Sequence, residues 1–320
     1  MHLAKSLIAH ELSTFEERFE ESVKSQTPLL DTIMKYIIKR KGKQLRPMFV
    51  FLSARLHGPV NDSTYRAAAL VELLHTATLV HDDVVDESME RRGFFSINAL
   101  WKNKVAVLVG DYLLSKGLLL SLDNNDFRIL QILSEAVRRM SEGELLQIEK
   151  ARTLNVKEET YFEIIRNKTA SLLAAACAAG AYSSTQDENK AEKMREFGES
   201  VGIAFQIKDD LFDYGSDDVG KPTGNDIKEK KLTLPLIYTL SNVNGTLRRD
   251  LIYSVKNKNK DKEAVKQVID TVVRSGGINY ASEKMFQYRD KAIAILNEFP
   301  ENDERRALEE LVRFTTDRKF

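Results

Sequence analysis

The chain has 320 residues, with 48 Lys plus Arg against 48 Asp plus Glu, so its formal net charge is zero. That balance excludes bulk electrostatic attraction to nucleic acid or to anionic lipid. Apolar residues make up 42% and charged residues 30%, the proportions of a folded globular protein rather than a disordered one. A single cysteine, Cys177, rules out a disulfide within the chain. It fits a reducing compartment, and a cytoplasmic location is the expectation.

The opening stretch from Met1 to Phe19 carries His, Glu, Lys and Arg along its length and has no signal-peptide core. Fifteen Gly and six Pro are few for this length, so turns are few and helices long. Gly42-Lys43-Gln44-Leu45-Arg46-Pro47 precedes the apolar segment Met48 to Leu56. Pro47 suits a first helical turn, which would put Lys43 and Arg46 at a helix N-terminus, a place suited to phosphate. From Tyr65, the residues Ala68, Val71, Leu74 and Thr78 recur at helical spacing. Arg91-Arg92-Gly93 follows, with Gly93 read as a helix C-cap and the arginines as partners either of an anion or of the helix dipole. The next helix runs from Val105 to Leu120.

Similar periodicity marks 127–148, 158–181, 190–212 and 261–273, separated by polar or Gly-containing connectors. The run Leu172 to Ala181 is read as the most apolar stretch and is too short to span a bilayer. Lys168-Thr169 interrupts an otherwise apolar helix, and Gly220 to Asp226, with Lys231 beyond it, forms a polar connector. The basic run Lys256 to Lys262 reads as a solvated loop, because it lacks interleaved aromatics. The expectation is an all-α chain, one large helical-bundle domain over residues 1–320.

Two acidic motifs carry the chemistry. Asp82-Asp83-Val84-Val85-Asp86 and Asp209-Asp210-Leu211-Phe212-Asp213 share the pattern D-D-x-x-D. With 21 Asp in the chain, chance would place on the order of 0.09 such matches. Residues four apart share a helix face, so Asp82 aligns with Asp86 and Asp209 with Asp213. Gathered carboxylates repel one another and need cations. Hard oxygen ligands without Cys or His point to Mg²⁺ rather than zinc, and no EF-hand loop supports calcium. The bland reading is a pair of solvent-facing acidic turns. His75 lies two turns before Asp82 on the same stripe as Thr78, and Gln206 lies three residues before Asp209. Neither Gly-Lys pair has phosphate-loop spacing, so a nucleoside triphosphatase reading fails.

From Lys41 to Lys231 the chain resembles the trans-isoprenyl diphosphate synthases, or polyprenyl synthetases. The resemblance rests, in order, on GKQLRP, ELLHTATLVHDDVVDESMERRG, the Lys168-Thr169 pair, FQIKDDLFD and GKPTGNDIKEKK. It implies an all-α isoprenoid synthase fold around a deep central cavity, commonly a homodimer, with three Mg²⁺ ions. It places Asp82 and Asp86 on metal from one wall and Asp209 from the other, supported by Asp83, Asp210 and Asp213. Lys43, Arg46, His75 and Arg92 would hold isopentenyl diphosphate. Arg91, Lys168, Lys221 and Lys231 would hold the allylic diphosphate, with Thr169 and Gln206 beside the developing cation. The Lys221 loop is one residue longer than in some relatives, and Arg318-Lys319 is read as a cover for the site.

The implied reaction is head-to-tail elongation of an allylic primer by isopentenyl diphosphate. Neutralising the leaving diphosphate lowers the barrier to breaking the allylic C–O bond, and water must be kept from the cation. Small side chains at Ala77 and Thr78, one turn before Asp82, leave room for a growing tail. A long product, heptaprenyl to nonaprenyl, is therefore expected. Rival readings are a geranylgeranyl or farnesyl diphosphate synthase, a class I terpene cyclase and a non-catalytic synthase subunit. At most peripheral membrane contact is expected.

Overall fold

The computed structural model describes residues 1–40, 42–91, 93–154, 157–215 and 223–317, without the side chains of Arg91 and Thr153. Helices α1 (His2–Leu7), α2 (Ala9–Ser22), α3 (Pro28–Ile38), α4 (Leu45–Arg55) and α5 (Asp62–Val85) lead to a short hairpin of β1 (Glu90–Arg91) and β2 (Phe94–Phe95). Next come α6 (Ile97–Leu122), α7 (Phe127–Thr153), α8 (Glu158–Ile165), a π-helical turn (Arg166–Ala170), α9 (Ser171–Thr185) and α10 (Glu188–Phe212). The remainder is α11 (Asn225–Lys228), α12 (Leu234–Asn242), α13 (Gly245–Asn257), α14 (Lys262–Arg274), α15 (Gly277–Leu296) and α16 (Asp303–Asp317). The fold is all-α, as the pattern of apolar spacing and scarce breakers predicts.

The chain divides into two compact units. One comprises residues 1–137, 175–195 and 301–308; the other comprises 138–174, 196–300 and 309 onward.

In the first unit α5 packs against α4 and α6. Its start is fixed by a reciprocal cap, in which Asn61 accepts from the Thr64 N–H and Thr64 accepts from the Asn61 N–H. Such a cap contributes about 1 kcal/mol. Its inward face joins a core with Ile33, Met34, Leu73, Ala77, Val80, Val109 and Leu113. Burying a Leu or Ile side chain stabilises by about 1.5–3 kcal/mol, so this seam outweighs the cap.

Helix α6 is capped by Ser96 and interrupted at Lys102, where φ is 72°. By length and composition it is long and apolar enough to cross a membrane, a property that the shorter run Leu172 to Ala181 lacks. The longer helix is easy to miss in sequence because Asp111 and Lys116 punctuate its apolar residues. Leu108 and Leu119 remain more than half exposed on its outer side.

Gly93 is not a helix cap. Helix α5 ends with Asp86 as its C-cap, and Gly93, at φ 77°, turns the chain between β1 and β2. A left-handed backbone without a Cβ costs nothing there, which is what a tight hairpin turn needs.

Among the described residues, two cores build the second unit. One gathers Tyr161, Ile165, Ala170, Ile203, Ile207, Leu234 and Met285. The other gathers Leu236, Leu251, Val255, Val268 and Val272 along α12, α13 and α14. The first of these fixes α8 and the π-helical turn against α10, which carries the second acidic motif.

Candidate active site

In the first unit the stripe expected from sequence lies on α5. His75, Thr78 and Asp82 are half-buried and Asp86, at the helix end, is exposed. Asp83 points the other way and is 4% exposed. Lys43 is exposed just before α4, and Gln44 enters that helix through a left-handed backbone conformation. Arg46 donates from Nη1 to His75 Nε2 over 2.9 Å. A guanidinium has no acceptor, so His75 Nε2 carries no proton in this contact. Two residues 29 apart in sequence, both expected at one diphosphate, are thus in direct contact.

The turn after α5 is fastened by a residue that sequence reasoning passed over. Asn98 Nδ2 donates to the Asp83 carbonyl over 3.2 Å and to the Ser88 carbonyl over 3.1 Å. Ser96 Oγ donates to the same Ser88 oxygen over 2.7 Å. Nothing in the Asn98 position, a single amide after a serine, marks it in sequence. Of the residues expected near this turn, the Arg91 side chain and all of Arg92 lie outside the described residues, as do Lys221, Arg318 and Lys319.

The second unit builds its motif differently. Asp209 is exposed at the end of α10, while Asp210 and Asp213 are buried. Asp210 accepts from Tyr161 OH over 2.7 Å and from Gln206 Nε2 over 2.8 Å. Thr169 Oγ1 in turn donates to Gln206 Oε1 over 2.7 Å, so the two residues expected beside the cation touch each other. The carboxylate of Asp213 receives the backbone N–H groups of Asn225 at 2.7 Å and Asp226 at 3.0 Å. Lys168 pairs with Glu144 of α7, a partner invisible in the local sequence. Lys231 pairs with Glu229.

Burial shapes the electrostatics here. It pushes the Asp210 carboxyl up to about 8, helped by the charge of Asp226 and opposed by the bonds from Tyr161 and Gln206. Asp226, half-hidden beside Asp213 and Asp209, is pushed up to about 7 by burial first and Asp213 second. Asp226 falls within the quoted GKPTGND segment, yet only the fold reveals it as a fourth acid in this cluster. The crowding of carboxyls is a standing demand for cations or protons.

Among the described residues, no three His, Cys, Asp or Glu side chains gather closely enough to hold a metal ion by themselves. The donor chemistry still suits magnesium, which is held by one or two carboxylates plus waters and substrate phosphates. Asp82, Asp86 and Asp209 have the accessible oxygens for that role. Asp83, Asp210 and Asp213 are buried, and the carboxylates of Asp210 and Asp213 are taken up by hydrogen bonds within their own unit.

Comparison with known proteins identifies the family. The family described as polyprenyl synthetase matches residues 27–272. An all-trans-nonaprenyl-diphosphate synthase (geranyl-diphosphate specific) of Rhodobacter capsulatus is 36% identical, over 97% of this chain and 96% of its own length. A polyprenyl synthase of Caulobacter crescentus, solved with calcium and isoprenyl diphosphate, superposes with a TM-score of 0.92 at 35% identity, covering 100% of this chain and 98% of that one. A geranylgeranyl pyrophosphate synthase of Bacteroides thetaiotaomicron superposes at 0.83 with 38% identity, covering 99% and 98%. With paired acidic motifs on α5 and α10, and a family match over far more than half its length, the chain belongs to the polyprenyl synthetase family and is an enzyme of the trans-isoprenyl diphosphate synthase class.

Proposed function

We propose that the protein joins isopentenyl diphosphate to an allylic diphosphate primer, head to tail, and repeats the step to make a long all-trans polyprenyl diphosphate. The observation that carries this reading is the duplication of D-D-x-x-D, with an exposed aspartate at each copy and basic residues following both in the sequence. Magnesium, three ions by family resemblance, would be held by Asp82, Asp86 and Asp209. When bound it supplies charge neutralisation to the departing diphosphate. The Caulobacter relative, solved with calcium and isoprenyl diphosphate, supports a divalent cation in this role.

The residues of this chain do the rest. Lys43, Arg46, His75 and Arg92 bind the diphosphate of isopentenyl diphosphate, with the Arg46–His75 contact fixing the guanidinium's orientation. Lys168, Lys231, Arg91 and Lys221 bind the allylic diphosphate. Thr169 and Gln206 lie beside the developing allylic cation and stabilise it electrostatically through their preset dipoles. Asp83, Asp210 and Asp213 hold the two motifs in shape.

Product length follows from what stands one turn before Asp82. Thr78 shares the face of His75 and Asp82, and its hydroxyl donates to the His75 carbonyl over 2.9 Å, so it presents a methyl and little bulk. Ala77 is fully buried in the core of the first unit. Both are small, and the nonaprenyl product named for the Rhodobacter relative agrees with a long tail. The Bacteroides relative favours a second reading, a geranylgeranyl product. We further propose a cytoplasmic homodimer, supported by the exposed aliphatic side of α6 at Leu108, Leu119 and Leu122. Light scattering after gel filtration tests the dimer.

The deciding experiment incubates the protein with Mg²⁺, isopentenyl diphosphate and each of dimethylallyl, geranyl, farnesyl and geranylgeranyl diphosphate. Phosphatase treatment and chromatography then give the chain length of the prenyl alcohol. Alcohols of seven to nine isoprene units are expected. A C20 ceiling would establish the shorter reading, and no incorporation of labelled isopentenyl diphosphate would overturn both.

A further inference from the structure

The second acidic motif has an anchor that lies outside the motif and outside the expected binding residues. Tyr161 sits on α8, seven residues before Lys168, and is 4% exposed. Its ring packs in the core with Ile165, Ile207 and Met285 and meets Phe162 edge-on at 5.4 Å. Its hydroxyl donates to Asp210 Oδ2 over 2.7 Å. The other oxygen of that carboxylate, Oδ1, accepts from Gln206 Nε2 over 2.8 Å, and Gln206 Oε1 accepts from Thr169 Oγ1 over 2.7 Å.

These bonds form a single directed chain. The Gln206 amide nitrogen has only hydrogens to offer, so Asp210 Oδ1 accepts there while the Tyr161 hydroxyl holds the other oxygen, Oδ2. The amide oxygen of Gln206 is then left to face Thr169. The Tyr161 hydroxyl at the end of the chain thereby holds the Asp210 carboxyl in the rotation that presents Oδ1 to the Gln206 amide. It also fixes the last turn of α10, where Asp209 stands next to Asp210. Burial holds Tyr161 in its neutral, donating form, well above its usual titration range.

We propose that Tyr161 is a positioning residue for the second acidic motif, holding Asp210 so that Gln206, Thr169 and Asp209 keep one working orientation. This rests on the reading above, in which that motif handles a metal-bound diphosphate. Tyr161 touches no substrate; it acts through Asp210.

Tyr161→Phe keeps the ring and removes only the donor. Calorimetric titration of the purified protein with pyrophosphate in Mg²⁺ is expected to show binding weakened about tenfold, the loss of one buried hydrogen bond. A melt of the metal-free protein reports folding separately. In steady-state kinetics the KM for the allylic diphosphate is expected to rise and kcat to fall, while the KM for isopentenyl diphosphate stays within twofold. A double variant, Tyr161→Phe with Thr169→Val, is expected to be far less impaired than the product of the single effects, because both act on one chain of bonds. Unchanged Mg²⁺–pyrophosphate binding in Tyr161→Phe would overturn the proposal, and so would fully multiplicative single effects. A melt that drops with both KM values constant would reduce Tyr161 to a packing residue and also overturn it. If the unaltered protein shows no metal-dependent pyrophosphate binding, the functional reading itself fails, and this one with it.

Discussion

Gly143→Ala separates folding from function on a single methyl group. Gly143 lies on α7 where that helix presses against the π-helical turn. A Cβ there would sit 2.8 Å from the backbone nitrogen of Lys168 and 2.9 Å from Asn167 Cβ. Neither is the loose end of a side chain, so α7 and the turn must part by more than half an ångström to reach ordinary contact. Overpacking of this kind costs about 1–3 kcal/mol. Alanine in place of glycine within a helix returns roughly 0.8–1 kcal/mol. The net loss of stability is therefore about 0–2 kcal/mol, and the thermal midpoint should fall by only a few degrees. The displaced segment carries Lys168 and Thr169, however. Misplacing catalytic groups by about 1 Å can cost 10²-fold. We expect kcat/KM for the allylic diphosphate to fall at least tenfold in a variant that melts almost normally, measured by labelled isopentenyl diphosphate incorporation alongside calorimetry. Normal kinetics would show that the π-helical turn tolerates displacement and that the close approach at Gly143 serves packing alone.

Three further outcomes are expected. His75→Phe removes the acceptor for Arg46 and should raise the KM for isopentenyl diphosphate roughly tenfold, with the allylic KM little changed in the same assay. Without metal, the stability of the protein should fall as pH rises from about 4 to 8. The folded state keeps protons on Asp210 and Asp226 that the unfolded chain has already released, so it binds more protons over that window and loses ground as they leave. Urea unfolding at several pH values checks the sign, and a rising trend would refute it. Thr78→Phe should shorten the prenyl alcohol seen on chromatography. Ala77→Phe should instead be costly to folding, because Ala77 is fully buried in the core that also holds Leu73, Val80 and Leu113.

Much of this was legible in the residues because its signals are local. Helical spacing located α5 and α10, and two copies of one acidic pattern marked their ends. What escaped was non-local. Glu144 is 24 residues before Lys168, Tyr161 is 49 before Asp210, and Asp226 comes to Asp213 across a connector. Each lies inside a periodic run or a quoted segment, but neither the spacing nor the motif names its partner, and only packing pairs them. Gly93 misled for another reason. A glycine after a helix reads as a cap, but α5 had already closed at Asp86, and four residues of hairpin needed a turn. The apolarity of α6 hid because Asp111 and Lys116 break it into short pieces.

The two amide hydrogens that clasp Asp213 change how a scan of the six motif aspartates should be interpreted. Replacing Asp213 by alanine unfastens α11 from the end of α10, and an inactive protein would follow whether or not that carboxylate ever meets an ion. Loss of turnover alone would score structural clasps and metal ligands alike. Half-buried Asp82 and exposed Asp86 and Asp209 should lose turnover with their melting curves intact, whereas Asp213 should lose both together.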